Sequence, residues 1–198
     1  MRIGLRLPAA LLIAGLLAAC DTPPSREPFA KLTYAYLPPF RLAVGRIEVV
    51  ESYRPINTPP HVELEFPVSP TQTAAQWGHD RLQAAGGADR AFYTVLRGDA
   101  LETRLPASES GGLLGSFDTP PPAERYDLTI AVRLQIVEPG GRIAASVDAK
   151  ATRSVTLAAN ATLNDRERAG FSLTEATMKD LNAALEKSIP QYLKGYLR

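Results

Sequence analysis

Between Arg125 and Leu157, apolar and polar side chains alternate almost without a break. Tyr126, Leu128, Ile130, Val132, Leu134 and Ile136 fall on one side of an extended chain. Arg125, Asp127, Thr129, Ala131, Arg133 and Gln135 fall on the other. This period of two is that of a half-buried strand. Glu138-Pro139-Gly140-Gly141 supplies a turn. Ile143, Ala145, Val147, Ala149, Ala151, Val155 and Leu157 then resume the alternation, interrupted at Arg153. The two runs predict a long antiparallel hairpin, and the alanines of its second arm predict a helix lying close above it.

The remaining elements are shorter. Phe40 to Tyr53 reads as a strand whose alternation slips by one near Gly45, which predicts a bulge there. Residues 54–68 read as a loop with Pro55, Pro59, Pro60 and Pro67. Ser69, Pro70 and Gln72 predict a helix start with a capping box. Ala74, Trp77, Arg81, Leu82 and Ala85 would form its face, and Gly86-Gly87 its end. Phe92 to Leu96 is a short strand, with a second segment near Leu101 to Leu105. Residues 106–123 read as loop. Ser172 and Glu175 predict the cap of a last helix, with a shorter turn near Asn164. Its stripe is Met178, Leu181, Leu185, Ile189, Tyr192 and Tyr196, and Pro190 should kink it. The order strand, helix, three strands, helix predicts an α+β fold. Its antiparallel sheet has about four strands including the long hairpin, and two main helices pack on one face.

The N-terminus has a different pattern. Arg2 and Arg6 precede a wholly apolar or small stretch over residues 7–19, too short to span a bilayer, which takes about 20 residues. Leu17-Ala18-Ala19-Cys20 follows, and Cys20 is the only cysteine, so no disulfide can form within the chain. The tetrapeptide resembles the lipobox of bacterial lipoproteins. The resemblance implies that residues 1–19 are a signal peptide and that Leu17, Ala18 and Ala19 form the peptidase recognition site. It also implies that the Cys20 thiol takes up diacylglycerol and its freed amine an N-acyl chain such as palmitate. Two or three acyl chains anchor a protein stably where one does not. Asp21 resembles the sorting signal that holds enteric lipoproteins in the inner membrane, a rule that varies between bacteria and leaves inner or outer membrane open. Residues 20–39 hold Pro23, Pro24, Pro28, Pro38 and Pro39 and read as a tether reaching at most ~65 Å. Leu32 to Tyr36 at its end could pack as an edge strand. Residues 40–198 would form a single domain.

Charge narrows the functions. The chain has 22 Lys+Arg and 21 Asp+Glu. Losing Arg2 and Arg6 with the leader leaves the rest one charge to the acidic side, without the basic clustering that nucleic acid requires. His61 lies in the proline-rich loop and His79 in the first helix beside Asp80, where neighbouring residues point apart. No Gly-x-Ser-x-Gly elbow, His-x-x-x-His or Cys-x-x-Cys occurs, so no catalytic residue, metal site or resident cofactor is expected. Glu109 to Gly115 is glycine-rich but lacks the Gly-Lys-Ser/Thr of a phosphate loop. Leu113, Leu114 and Phe117 in that segment would contact a partner or the membrane if exposed. Asp165, Arg166, Glu167 and Arg168 read as a solvated mixed-charge face, and Trp77 as core.

The lipobox, the element order over residues 40–197 and Ala75-Gln76-Trp77 together resemble the ABC-type transport auxiliary lipoprotein family. Length and element order also resemble the lipopolysaccharide-assembly lipoproteins. The first resemblance implies a binding or scaffold accessory of an envelope transport system, lipid transport included. Such a protein faces the periplasm, is membrane-bound through its lipid, and works with an envelope protein partner. A lipid carrier with an apolar cavity and an envelope hydrolase are the alternatives.

Overall fold

The computed structural model describes residues 29–106 and 122–198. The expected hairpin is present, with β5 (Pro122–Val137) inside the sheet and β6 (Ile143–Ala158) at its edge, paired antiparallel with Leu134 opposite Val147. Tyr126, Leu128, Ile130, Val132, Leu134 and Ile136 are all buried, as their alternation requires. Gly141 closes the turn at φ 85°, a conformation that favours glycine.

The other side of β5 is occupied by one strand rather than two segments, β4 (Arg90–Arg104). A bulge between Val95 and Arg97 explains the interrupted pattern. Ala91, Tyr93 and Val95 are buried before it and Ala100 after it, so the buried apolar side chains change from odd to even positions. β2 (Arg46–Glu51) completes the order β2-β4-β5-β6, and it lies parallel to β4. The sheet is therefore mostly, not wholly, antiparallel, because α1 (Pro70–Arg81) carries the chain back over the sheet between the two strands.

The expected first strand is two elements. β1 (Phe40–Leu42) leaves the main sheet to pair, parallel, with β3 (Leu82–Ala84). Gly45 is not a bulge but a crossing point, since an added Cβ would lie 2.6 Å from the Gly87 carbonyl oxygen. The same pairing ends α1 at Arg81, five residues before Gly86. Gly86 and Gly87 instead serve the following turn, at φ 91° and 137°. Ser69 does cap α1 by accepting the Gln72 N–H at 3.3 Å, the only half of the expected box that forms.

The last helix, α2, spans Leu163–Tyr192 as one unit. Its capping box is Thr162 with Asp165, so the start lies well before Ser172, which is inside the helix. Met178, Leu181, Leu185 and Ile189 are buried as expected, joined by Leu173, Thr174 and Thr177. Tyr192 departs from that stripe and is exposed, and the helix ends two residues beyond Pro190.

Both helices cover the apolar face, α1 over β2 and β4, α2 over β6 and β5. Ala149 and Ala151 are buried beneath α2. Arg153, which breaks the apolar row, reaches α2 and donates twice to Asp180, at 2.6 and 3.0 Å. Trp77 lies at the seam of the two helices and the sheet. It is fully buried, stacked on Tyr93 with ring centroids 5.4 Å apart, and donates its indole N–H to Asn182 Oδ1 at 2.8 Å.

Gly78 is what lets α1 approach. A Cβ there would lie 2.6 Å from a Tyr93 ring carbon. Alanine is better than glycine in a helix by about 1 kcal/mol, yet Gly78→Ala should destabilise the protein by about 1–3 kcal/mol, because overpacking outweighs propensity. Urea unfolding followed by tryptophan fluorescence measures the sign.

Candidate functional site, a clamped loop at one end of the sheet

β2 stops at Glu51, leaving the outer edge of β4 uncovered from Val95 onward. The loop between β2 and α1 takes over that edge. Ser52 and Tyr53 donate their N–H groups to the Val95 carbonyl at the bulge, at 3.1 and 3.2 Å. Further along, Val62 N–H donates to Ala100 O at 2.9 Å and Glu102 N–H to Pro60 O at 2.8 Å. The loop is thus strapped to β4 at both ends.

Between the straps sits Glu63, whose side chain is 1% exposed. Its Oε1 accepts the Tyr53 hydroxyl at 2.7 Å and the Ile56 N–H at 3.0 Å. Its Oε2 accepts the Ala100 N–H at 3.2 Å and lies 3.4 Å from His61 Nδ1. Burial alone would raise this carboxyl's pKa, but the donors from Ile56, Tyr53 and Ala100 outweigh it and hold Glu63 below the usual carboxylate range. Burial, and then the bond to Glu63, push the Tyr53 hydroxyl well up, so it remains a donor. A carboxylate has about four lone-pair sites, and fixed donors take three of them here. Glu63 is a clamp and has little left with which to act as a base.

Beside the clamp opens a cleft of about 350 Å³, lined by Asn57, Thr58, Pro59, Pro60, His61, Val62, Glu65, Glu102 and Arg104. Its walls carry both charge signs, with Arg104 Nε 3.7 Å from Glu102. Thr58 is the hydroxyl residue that shares this lining with His61. His79 is exposed on α1. Its neighbour Asp80 is occupied elsewhere, accepting from Thr33 Oγ1 at 2.8 Å, Tyr34 N–H at 2.7 Å and Gln76 Nε2 at 2.6 Å.

Those Asp80 bonds hold down the incoming chain. Tyr34 is buried, Leu37 N–H donates to Tyr34 O at 3.0 Å, and Phe29 rests on Phe171 with centroids 5.2 Å apart. The expected edge strand over Leu32 to Tyr36 is therefore a turn, since Asp80 takes the N–H a strand would share. Burial would raise the Asp80 pKa, but its three donors lower it overall. A groove of about 390 Å³ runs between this segment and the start of α1, with Phe29, Lys31 and Leu32 facing Pro67, Val68 and Gln72.

Cys20, with Leu17, Ala18, Ala19 and Asp21, lies outside the described residues, as do Leu113, Leu114 and Phe117. The mixed-charge run at 165–168 is not simply solvated. Asp165 caps α2, and Arg166 pairs with the buried Glu124 and donates to Tyr126 Oη at 3.2 Å. Sequence reading missed Glu63. Its signal is an acid between Val62 and Leu64 in a proline-rich loop, which does not differ from any solvated loop acid until the donors are seen. Among the described residues there is no group of three or more His, Cys, Asp or Glu that could hold a metal ion. No described helix is long and apolar enough to cross a membrane.

No protein-family model and no curated protein matches the chain. Among solved structures it is similar to a minor lipoprotein from Acinetobacter baumannii, at 17% identity and a TM-score of 0.37, covering 74% of this chain and 92% of that one. It is also similar to the rare lipoprotein B from Shewanella oneidensis, at 10% identity and a TM-score of 0.39, covering 72% and 92%.

Because the folded-state pKa of Glu63 is depressed, its contribution to stability is full above its ordinary pKa of 4.5 and is lost as pH falls through the lower folded value. Glu63→Gln should cost about 1–3 kcal/mol at neutral pH, since an amide turns one acceptor into a donor facing a donor. It should also flatten the acid limb of the stability curve. Urea midpoints of both proteins, from neutral pH down to well into the acid range, give both quantities.

Proposed function

We propose that the chain is an envelope lipoprotein, acylated at Cys20 and held at the periplasmic face of a membrane. There it serves as a binding or scaffold accessory of a transport system and not as an enzyme. The observation that carries this reading is the placement of the only cysteine directly after Leu17-Ala18-Ala19 and an apolar stretch too short to span a bilayer. The interior supports the accessory role over the carrier role. The side chains between α2 and the sheet belong to one continuous cluster that includes Leu128, Ile130, Val132, Val147, Leu181 and Leu185. A carrier would need an apolar cavity of several hundred Å³ there. The cleft beside His61 supports binding over hydrolysis, for the adjacent Glu63 is committed to the loop through Tyr53, Ile56 and Ala100.

Cys20→Ser should abolish incorporation of a palmitate analogue and release the protein from the membrane fraction, while far-UV circular dichroism stays unchanged. A wild-type protein that carries a free Cys20 thiol, or retains its leader by mass spectrometry, would refute the anchoring. For the accessory role, crosslinking in intact cells should join the wild type to membrane proteins of a transport system. Turnover of small ester or amide substrates that is lost in His61→Ala would overturn it.

A further inference from the structure

The end of the sheet where β4 stops and β5 begins presents aliphatic side chains to solvent from a rigid mounting. Ile56, Leu64 and Leu163 are 42%, 55% and 59% exposed. All three belong to the surroundings of the clamp. The Ile56 N–H is one of Glu63's donors, and Leu64 follows Glu63 directly. Leu163, the first residue of α2, shares a small pocket with Glu65 and Phe66. Phe66 is in turn wedged against Gly170, where an added Cβ would lie 2.8 Å from its ring. Burying an ionised carboxylate is costly unless it is fully bonded. Here it fixes a surface loop in which Ile56 and Leu64 stay turned outward.

The path of the incoming chain is an independent observation. Phe29 rests on Phe171, and Lys31 and Leu32 line a groove with Pro67 and Val68. Along α2, Phe171 is about 12 Å from Leu163 and about 32 Å from Tyr192. About nine residues separate Cys20 from Phe29, a reach of ~30 Å when fully stretched. A tether this short brings the Leu163 end of the domain well within reach of the anchor, while the Tyr192 end lies at the limit of its reach. The hairpin turn at the opposite end lies a strand length away, 16 residues or roughly 50 Å.

We propose that this end of the domain rests on the bilayer, with Ile56, Leu64 and Leu163 entering the interfacial layer and the strands rising away from the membrane. The proposal rests on acylation of Cys20. Charges of both signs surround the three side chains, Glu65, Glu102, Asp165 and Glu167 against Arg104 and Arg166, with the acids in excess. The contact is thus apolar and should persist at high salt, where attraction to anionic headgroups would be screened.

With Cys20 occupied by lipid, a second cysteine can be labelled alone. Mature acylated protein carrying Leu64→Cys, Leu163→Cys or, as the far-end control, Ile143→Cys bears a polarity-sensitive fluorophore. Each is reconstituted into vesicles of phosphatidylethanolamine with a minor share of phosphatidylglycerol. Nitroxides near the top of the acyl chains should quench the labels at 64 and 163 about fivefold more than at 143, at low and high salt, as expected of side chains seated in the interface. If the protein floats with the vesicles but all three labels quench alike, the proposal fails, acylation stands, and this end is left free for a protein partner. If the protein does not float, the acylation reading fails and the proposal with it. Loss of the difference at high salt overturns the apolar contact.

Discussion

Burial of one row of side chains on β5 sets the positions of the other elements. Tyr126, Leu128, Ile130, Val132, Leu134 and Ile136 lie at the middle of the sheet's covered face, so they must be shielded along the whole strand. Neither helix alone does this. α1 covers the β2–β4 side and α2 the β6 side, and they meet over β5. The small residues follow from that arrangement. Gly78 lets α1 descend onto Tyr93, and Ala149 and Ala151 do the same for α2 over β6.

The two charged or polar side chains drawn into this seam are held by aromatic and hydrogen-bonding partners. Trp77 is tied to Asn182. Arg81, 2% exposed, donates to Glu186 at 3.0 Å and lies 5.0 Å from the Phe40 ring centre and 5.8 Å from that of Trp77. A guanidinium tolerates such a site because it is weakly hydrated and stacks on rings. On the opposite face of the sheet the same residue type pairs with acids along the strands. Arg97 with Asp99, Arg125 with Asp127 and Arg133 with Asp148 tile β4, β5 and β6. The two pairs on β5 and β6 are exposed and add little stability, whereas Asp99 is buried and held by the Arg97 guanidinium.

How far these features could be read in the sequence depended on whether the information was local. The hairpin was legible because each arm declares its face by its own alternation and the turn lies between them. The buried stripe from Met178 to Ile189 was legible for the same reason. The parallel pairing of β2 with β4 was not, since direction depends on the path of α1. The separation of β1 from β2 depends on Gly45 meeting Gly87, a residue far along the chain. The start of α2 was missed because Thr162 and Asp165 sit in a polar run with little apolar pattern to draw attention to them. The clamp was the least legible feature of the site. Nothing in Val62-Glu63-Leu64 distinguishes an acid bonded by Tyr53, Ile56 and Ala100 from one pointing into solvent.

The seam between the helices also carries an optical consequence. The chain has one tryptophan, and its indole is shielded from water, stacked on a tyrosine and bonded to a residue of the other helix. Its emission therefore reports the packing of α1 against both α2 and the sheet. Tyrosine-to-tryptophan energy transfer within the same cluster adds a distance signal. The molecule thus has a built-in gauge of how tightly its helical layer sits on the sheet.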